Sequence, residues 1–400
     1  MNSKHEKTPN AEDICPRPDL SPPPTTRPIA PAIYPSAVYE CADPEHAERL
    51  LSGAETGFVY SRERHPNAVQ LAEKCRELHA AERAIVASSG MAALSVAMLA
   101  LVEHGDHVVV SNQLYGRSLQ LLTSEASRLG VRSTVVDPCD LIATRKAITS
   151  NTKLVVVETI SNPLLRVADI AALAKVADAA GAKLLVDNTF AGPTICRPLQ
   201  LGAHLVLESL TKIMNGHSDV LLGLLCGRAD VWQRVGPVSV IWGMTPSPFD
   251  CWLALRGIGT LALRAERASA NALTIAEFLA GRKELASIHY PGHASHSDHA
   301  LAKRQFTGGF GSVVTFTVRG GRSAAEAFMH AAREIPFSPS LGDLSTTLSH
   351  PESTSHRTIS PEARAAIGID GGTIRLSVGI ESPAHLLSAL DRALTAVAGE

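Results

Sequence analysis

A lysine with hydroxyl neighbours follows an apolar run directly: His204-Leu205-Val206-Leu207 leads into Glu208-Ser209-Leu210-Thr211-Lys212-Ile213-Met214-Asn215-Gly216-His217-Ser218-Asp219. The end of a strand delivers residues into a cleft, and an amine placed there can attack a carbonyl. Taken alone, such a lysine is a solvated loop charge. The apolar run before it, Leu184-Leu185-Val186, closes on Asp187-Asn188-Thr189. A carboxylate ending a buried strand needs a cation or a donor to offset its desolvation. A protonated ring nitrogen is one such partner; capping the next helix is the other role open to Asp187. A third stretch, Ala87-Ser88-Ser89-Gly90-Met91-Ala92-Ala93, sets small residues between a strand and a helix. Backbone N–H groups and the positive end of the helix dipole favour a phosphate there, and Ser209 and Thr211 add hydroxyl donors.

An amine for an aldehyde, a carboxylate for a ring nitrogen and donors for a phosphate are together what pyridoxal 5′-phosphate requires. In this reading Asp187 keeps the pyridine protonated, so that the ring accepts electrons as a substrate Cα–H bond breaks. Lys212 holds the cofactor as a Schiff base until an incoming amino group displaces it, and then becomes the base that moves the proton.

The elements that must position these residues alternate in type. Short apolar runs (Arg83 to Val86, His107 to Val110, Lys153 to Val157, Lys183 to Val186, His204 to Leu207) read as buried parallel strands. Between them, Met91 to Leu101, Ser118 to Leu129 and Ile170 to Ala180 have helical spacing and end at glycine or a glycine-containing turn. This repetition predicts a doubly wound α/β domain over 59–250 with its ligand at the carboxyl ends of the strands. From 251 to 400 a long helix through Leu261 to Leu279 and the isolated strands Ser312 to Val318 and Thr373 to Val378 predict a smaller α+β domain. Residues 1–58, which open with Pro- and Thr-rich sequence, are expected to form an extended arm on a neighbouring subunit.

Composition excludes several classes. The formal net charge of -2 over 400 residues gives no basic field for nucleic acid or anionic membranes. The longest apolar run, Met91 to Val102, is too short for a bilayer. Seven cysteines without CxxC spacing read as reduced thiols, and the polar N-terminus lacks the apolar core of a secretory signal, so a cytoplasmic location is expected. His289, His293, His296 and His299 read as a polar loop entering a helix, and no metal is expected.

As a set, the motifs resemble the Cys/Met-metabolism enzymes that use pyridoxal phosphate, including cystathionine γ-synthase, cystathionine lyases, methionine γ-lyase and O-acetylhomoserine sulfhydrylase. The resemblance runs from about Pro31 to the C-terminus. It rests on Tyr60-Ser61-Arg62, Ser88 to Ala93, Leu114-Tyr115-Gly116, Glu158-Thr159-Ile160-Ser161-Asn162-Pro163, Val186 to Phe190, Thr211-Lys212 with Asn215 to Asp219, and Arg375 to Glu381. It implies the aspartate aminotransferase-like fold, type I among pyridoxal-phosphate enzymes. It further implies that Ser89, Gly90, Met91, Ser209 and Thr211 hold the phosphate, that Tyr115 stacks on the ring and shares the proton work, and that Asn162 bonds the phenolic oxygen. Tyr60 and Arg62 resemble a pair that reaches a neighbour's phosphate, which implies at least a dimer and, as expected here, a homotetramer. Arg375 resembles the arginine that grips the substrate carboxylate, and Ser340 a residue beside it.

Three positions depart from the family pattern: His65-Pro66-Asn67 replaces Asn-Pro-Thr, Arg117 follows Tyr115-Gly116, and Ser345 stands where cystathionine-handling members place Glu. The expected reaction is carbon–sulfur elimination from cystathionine or methionine, giving ammonia, a 2-oxo acid and a thiol. The alternatives are γ-replacement on an O-acyl-homoserine and, more remotely, a catalytically silent binding protein. The same residues serve β- and γ-chemistry.

Overall fold

The seven strands of the larger sheet are β1 (Arg83–Ala87), β2 (His107–Ser111), β3 (Arg132–Val136), β4 (Thr152–Glu158), β5 (Lys183–Asp187), β6 (Leu205–Ser209) and β7 (Gly223–Gly227). The computed structural model describes residues 26, 28–357 and 360–398. Residues 1–25 and 27 of the expected arm lie outside the described residues, and from Ile33 onward the described chain forms one compact unit holding both sheets. The strand order is β1-β7-β6-β5-β4-β2-β3, parallel from β6 through β3. β7 is antiparallel to both its neighbours, so β1, expected to pair in parallel, bonds an antiparallel partner while still pointing the same way as the rest.

Side-chain alternation explains why these strands read as unbroken apolar runs. Val108, Val110, Leu154, Val156, Leu185, Leu205 and Leu207 pack on one face with α2 (Gly90–Leu101). Val109, Val155, Val157, Leu184 and Val186 pack on the other with α3 (Ile170–Ala179), while Val206, Leu224 and Cys226 meet α1 (Pro66–His79). With both faces covered, each fully buried leucine or valine contributes roughly 1.5–3 kcal/mol. Side chains cap the helix starts: Ser89 caps α2 through Ala92 N at 3.0 Å, and Asp169 caps α3 through Ala172 N at 3.0 Å. The stretch expected as a helix from Ser118 to Leu129 is helical with a five-residue π segment, Leu121–Glu125.

Beyond the long helix α4 (Leu261–Ala280), a four-stranded antiparallel sheet of order β10-β11-β9-β8 is built from β8 (Leu285–His289), β9 (Val313–Val318), β10 (Thr347–Ser349) and β11 (Thr373–Ser377). Two helices, α5 (Gly321–Ala331) and α6 (Pro383–Ala398), cover it around Phe316 and Phe328. Among the described residues no helix is long and apolar enough to cross a membrane.

Candidate active site

The same alternation decides which groups reach the carboxyl ends of the parallel strands. Glu158, Asp187 and Ser209 end β4, β5 and β6 on the face that carries Val156, Leu185 and Leu207, each two residues earlier in its strand. They open onto a cavity of about 240 Å³ whose wall also includes Ser89, Gly90, Met91, Tyr115, Asn162, Thr211, Lys212, Ser340 and Arg375. Both sheets contribute: Arg375 is the middle residue of β11, and Ser340 precedes β10.

Lys212 Nζ donates to Ser340 Oγ at 2.9 Å. Burial, and then the nearby Arg375 guanidinium, lower the pKa of this amine from its ordinary value, enlarging the neutral fraction able to attack a carbonyl or take a proton. Arg375 Nη2 donates to the Ser340 carbonyl at 2.9 Å and Nη1 to Asn162 Oδ1 at 2.8 Å, while Nε is buried with no partner among the described residues. Burial lowers the guanidinium to about 10, opposed by the charge of Glu158. Gly342 lets the Ser340 loop lie against the lysine turn: its φ is 78°, and a Cβ there would fall 2.5 Å from Ile213 N.

Two carboxylates stand side by side at the floor. Asp187 Oδ1 accepts from Thr189 N at 3.0 Å and Thr189 Oγ1 at 2.6 Å, which leaves Oδ2 available to a further donor. Burial pushes Asp187 up to about 6 against those two bonds, with the charge of Glu208 adding to the push. Glu158 accepts from Tyr115 N at 2.7 Å and Asn162 N at 3.2 Å, and burial followed by the proximity of Asp187 raises it well above the usual carboxylate range.

At the opposite wall Gly90 and Met91 form the first turn of α2, where backbone N–H groups have no intrahelical acceptor. The Ser89 hydroxyl is occupied in capping. The Thr211 hydroxyl bonds both ends of Leu222, donating to its carbonyl at 3.3 Å and accepting from its N–H at 3.1 Å. Gly223 of β7 backs directly onto the Ser89 and Gly90 peptide.

Tyr115 is 42% exposed at the cavity mouth. Tyr60 and Arg62 do not line the cavity of their own chain; the Arg62 guanidinium lies 5.1 Å from the Tyr60 ring centroid, and Tyr60 is exposed. Of the departures, His65 is buried, capping α1 through Ala68 N at 3.2 Å and bonding the Pro246 carbonyl at 3.1 Å. Arg117 is exposed and donates to Gln120. The Ser345 N–H donates to Asp343 Oδ1 at 2.9 Å. Glu158, Thr189 and Phe190, present above only as parts of motifs and given no role of their own, are also on the cavity wall, as is Ser355. Glu158 ends its strand as Asp187 does, and that parallel was the available signal. Among the described residues no three His, Cys, Asp or Glu side chains group as metal ligands.

The donor set fits pyridoxal phosphate. An amine of lowered basicity, a carboxylate with one oxygen uncommitted and a helix start at the far wall surround one cavity in a doubly wound fold, which defines the class of pyridoxal-phosphate enzymes of fold type I. Residues 17–395 match the family described as Cys/Met metabolism PLP-dependent enzyme, and the chain belongs to it. It is 39% identical over 366 residues to O-succinylhomoserine sulfhydrylase of Pseudomonas aeruginosa, covering 92% of this chain and 91% of that one. It is also 39% identical over 369 residues to L-methionine gamma-lyase of Porphyromonas gingivalis, covering 92% of each. The crystal structure of cystathionine gamma synthase from Xanthomonas oryzae pv. oryzae in complex with cystathionine superposes with a TM-score of 0.87 at 36% identity, covering 93% of this chain and 94% of that chain. The chain is thus a pyridoxal-phosphate enzyme of trans-sulfuration type.

Proposed function

We propose that this enzyme is a carbon–sulfur lyase acting on cystathionine or methionine, with Lys212 holding the cofactor. The observation that carries the reading is the convergence of Lys212 Nζ and Arg375 Nη2 on the two oxygens of Ser340, each at 2.9 Å. An amino acid whose α-carboxylate is gripped by the two-pronged Arg375 has its Cα beside the lysine amine. Pyridoxal phosphate, when bound, supplies an electron sink for breaking bonds at that carbon. Asp187 Oδ2 holds a proton on the ring nitrogen, with Thr189 fixing the carboxylate's orientation. Asn162 directs its Oδ1 at Arg375, so its NH₂ is the group left to bond the phenolic oxygen. Gly90 and Met91 N–H groups with Ser89, Ser209 and Thr211 receive the phosphate, and Tyr115 covers the ring. Lys212 would then take the Cα proton and, for γ-chemistry, give it up to the cofactor side before taking a Cβ proton in turn, sharing that work with Tyr115.

Tyr60 and Arg62 complete the phosphate site of a second copy, which is why they stand away from their own cavity; this reading includes a homotetramer built of site-sharing dimers. A cytoplasmic location and the division at 58 and 250 belong to the same proposal. A groove of about 260 Å³, sharing Tyr115 and Ser355 with the cavity, is lined by Arg117 and Arg357. Two guanidiniums at the mouth favour a substrate with a second, distal carboxylate, so cystathionine is preferred to methionine. They equally favour the second reading, γ-replacement on O-succinylhomoserine. Product analysis of the cofactor-loaded protein separates these. Release of 2-oxobutyrate or pyruvate from cystathionine without added thiol is expected. Cystathionine formed only when ester and cysteine are both present would overturn the lyase in favour of a synthase.

A further inference from the structure

On the side of the larger sheet away from the cavity lies an acid–base pair that the proposed chemistry does not use. The alternation that turns Glu158, Asp187 and Ser209 toward the cavity turns Thr159, Asn188 and Glu208 away from it. Glu208 is fully buried, and its Oε1 lies 3.4 Å from Nε2 of the equally buried His79, the last residue of α1. The same Oε1 accepts from Asn188 Nδ2 at 2.8 Å. Asn188 Nδ2 also donates to the Cys196 carbonyl at 3.0 Å, and Asn188 Oδ1 accepts from Thr159 Oγ1 at 2.7 Å. Backbone bonds run beside these, from Thr159 N to Asp187 O at 3.0 Å and from Asn188 N to Leu207 O at 2.8 Å. The connected side chains therefore cross the carboxyl ends of β6, β5 and β4 in turn, each next in sequence to a group that faces the cavity.

A carboxyl and an imidazole this deep are tolerated only as a pair, both charged or both neutral. Among the described residues neither ring nitrogen of His79 nor Oε2 of Glu208 has a hydrogen-bond partner, so the pair depends on its own attraction and on Asn188. The other titratable groups close by are the thiols of Cys75, Cys196 and Cys226, all pushed up by burial and then by the Glu208 charge, and Asp187 through the sheet. Replacing a buried pair of this kind by apolar side chains of similar volume is often neutral or stabilising, so its presence is weak evidence for a role in stability alone.

We propose that His79 and Glu208 are positioning residues for the cofactor site: they lock the ends of β4, β5 and β6 in register and set the charge beneath Asp187. The inference rests on the reading of Asp187 as the partner of the ring nitrogen. Asp187 feels Glu208 directly, and losing that charge removes one of the influences that raise its pKa.

The test uses the full-length, cofactor-loaded enzyme with Glu208→Gln, His79→Asn, the swap His79→Glu with Glu208→His, and Asp187→Asn for reference. Each single variant is expected to lower kcat on the order of tenfold and to displace the pH titration of the bound cofactor's absorption, toward lower pH in Glu208→Gln. The swap, which keeps the pair, is expected to recover both to within about threefold. Single variants that lose thermal stability but keep the wild-type kcat and titration would overturn the proposal, as would a swap no better than either single. Should a single variant fail to fold, Thr159→Val removes only the bond to Asn188 and is judged by the same kcat and titration. Silent pair variants beside a damaged Asp187→Asn refute this inference alone. A silent Asp187→Asn refutes the reading of Asp187, and the inference falls with it.

Discussion

Replacing Gly223 by alanine tests whether the Ser89 turn is part of the cofactor site, because the overlap it creates falls on the backbone of that turn. A Cβ on Gly223 falls 2.1 Å from the Ser89 carbonyl oxygen, 2.5 Å from its carbon and 2.7 Å from Gly90 N. All three are backbone atoms, so no side-chain rotation relieves the overlap. Bringing the closest of these atoms to an ordinary contact of about 3.5 Å needs a displacement of roughly 1.4 Å. β7 is bonded on both sides, to β1 and β6, so the turn rather than the strand gives way. Overpacking of this kind costs roughly 1–3 kcal/mol, and if it falls on the bound state the dissociation constant for pyridoxal phosphate rises about 5- to 150-fold. The assay titrates cofactor-free protein with pyridoxal phosphate and follows the visible absorption. An affinity within about twofold of wild type would refute the assignment of the phosphate to this turn.

Arg375→Lys keeps the charge but loses the two-pronged grip. One lost charge-assisted bond is worth about 1.5–3 kcal/mol, so KM for amino-acid substrates should rise roughly 10- to 150-fold with the cofactor's absorption intact. Asp187→Asn should stabilise the cofactor-free protein near neutral pH while abolishing turnover. Its folded pKa is raised, so the charged carboxyl costs stability above about pH 6, and that cost is gone once pH has fallen below the ordinary 3.8. The interval corresponds to a ceiling of roughly 3 kcal/mol. Denaturant unfolding at pH 7.5 and pH 4 should show a stabilisation at the higher pH that disappears at the lower. Arg117→Gln and Arg357→Gln should each raise KM for cystathionine roughly fivefold and leave methionine unchanged; equal effects on both substrates would remove the groove from substrate recognition.

The sequence made Lys212, Asp187 and the Ser89 turn legible because each follows an apolar run, where alternation and chain direction together fix its place. Glu158 ends β4 in the same way, but its partner within its own segment is only the backbone N–H of Asn162, and the fold alone brings Tyr115 N to it. β7 escaped detection as a strand because its five residues begin and end in glycine, and the amphipathic β3 lies at the sheet edge. A lone histidine at a helix end, such as His79, looks like any core residue until Glu208 is set against it across the sheet. Ser355 and Arg357 arrive from a distant loop and leave no trace in local pattern.

The role proposed for Lys212 is to carry the cofactor and to serve as the base. Borohydride reduction of the cofactor-loaded enzyme, followed by peptide mapping, tests it most directly. The pyridoxyl label is expected on Lys212 alone, with a Lys212→Ala variant that cannot be labelled and does not turn over. A label on any other lysine, or elimination activity retained by Lys212→Ala, would contradict it.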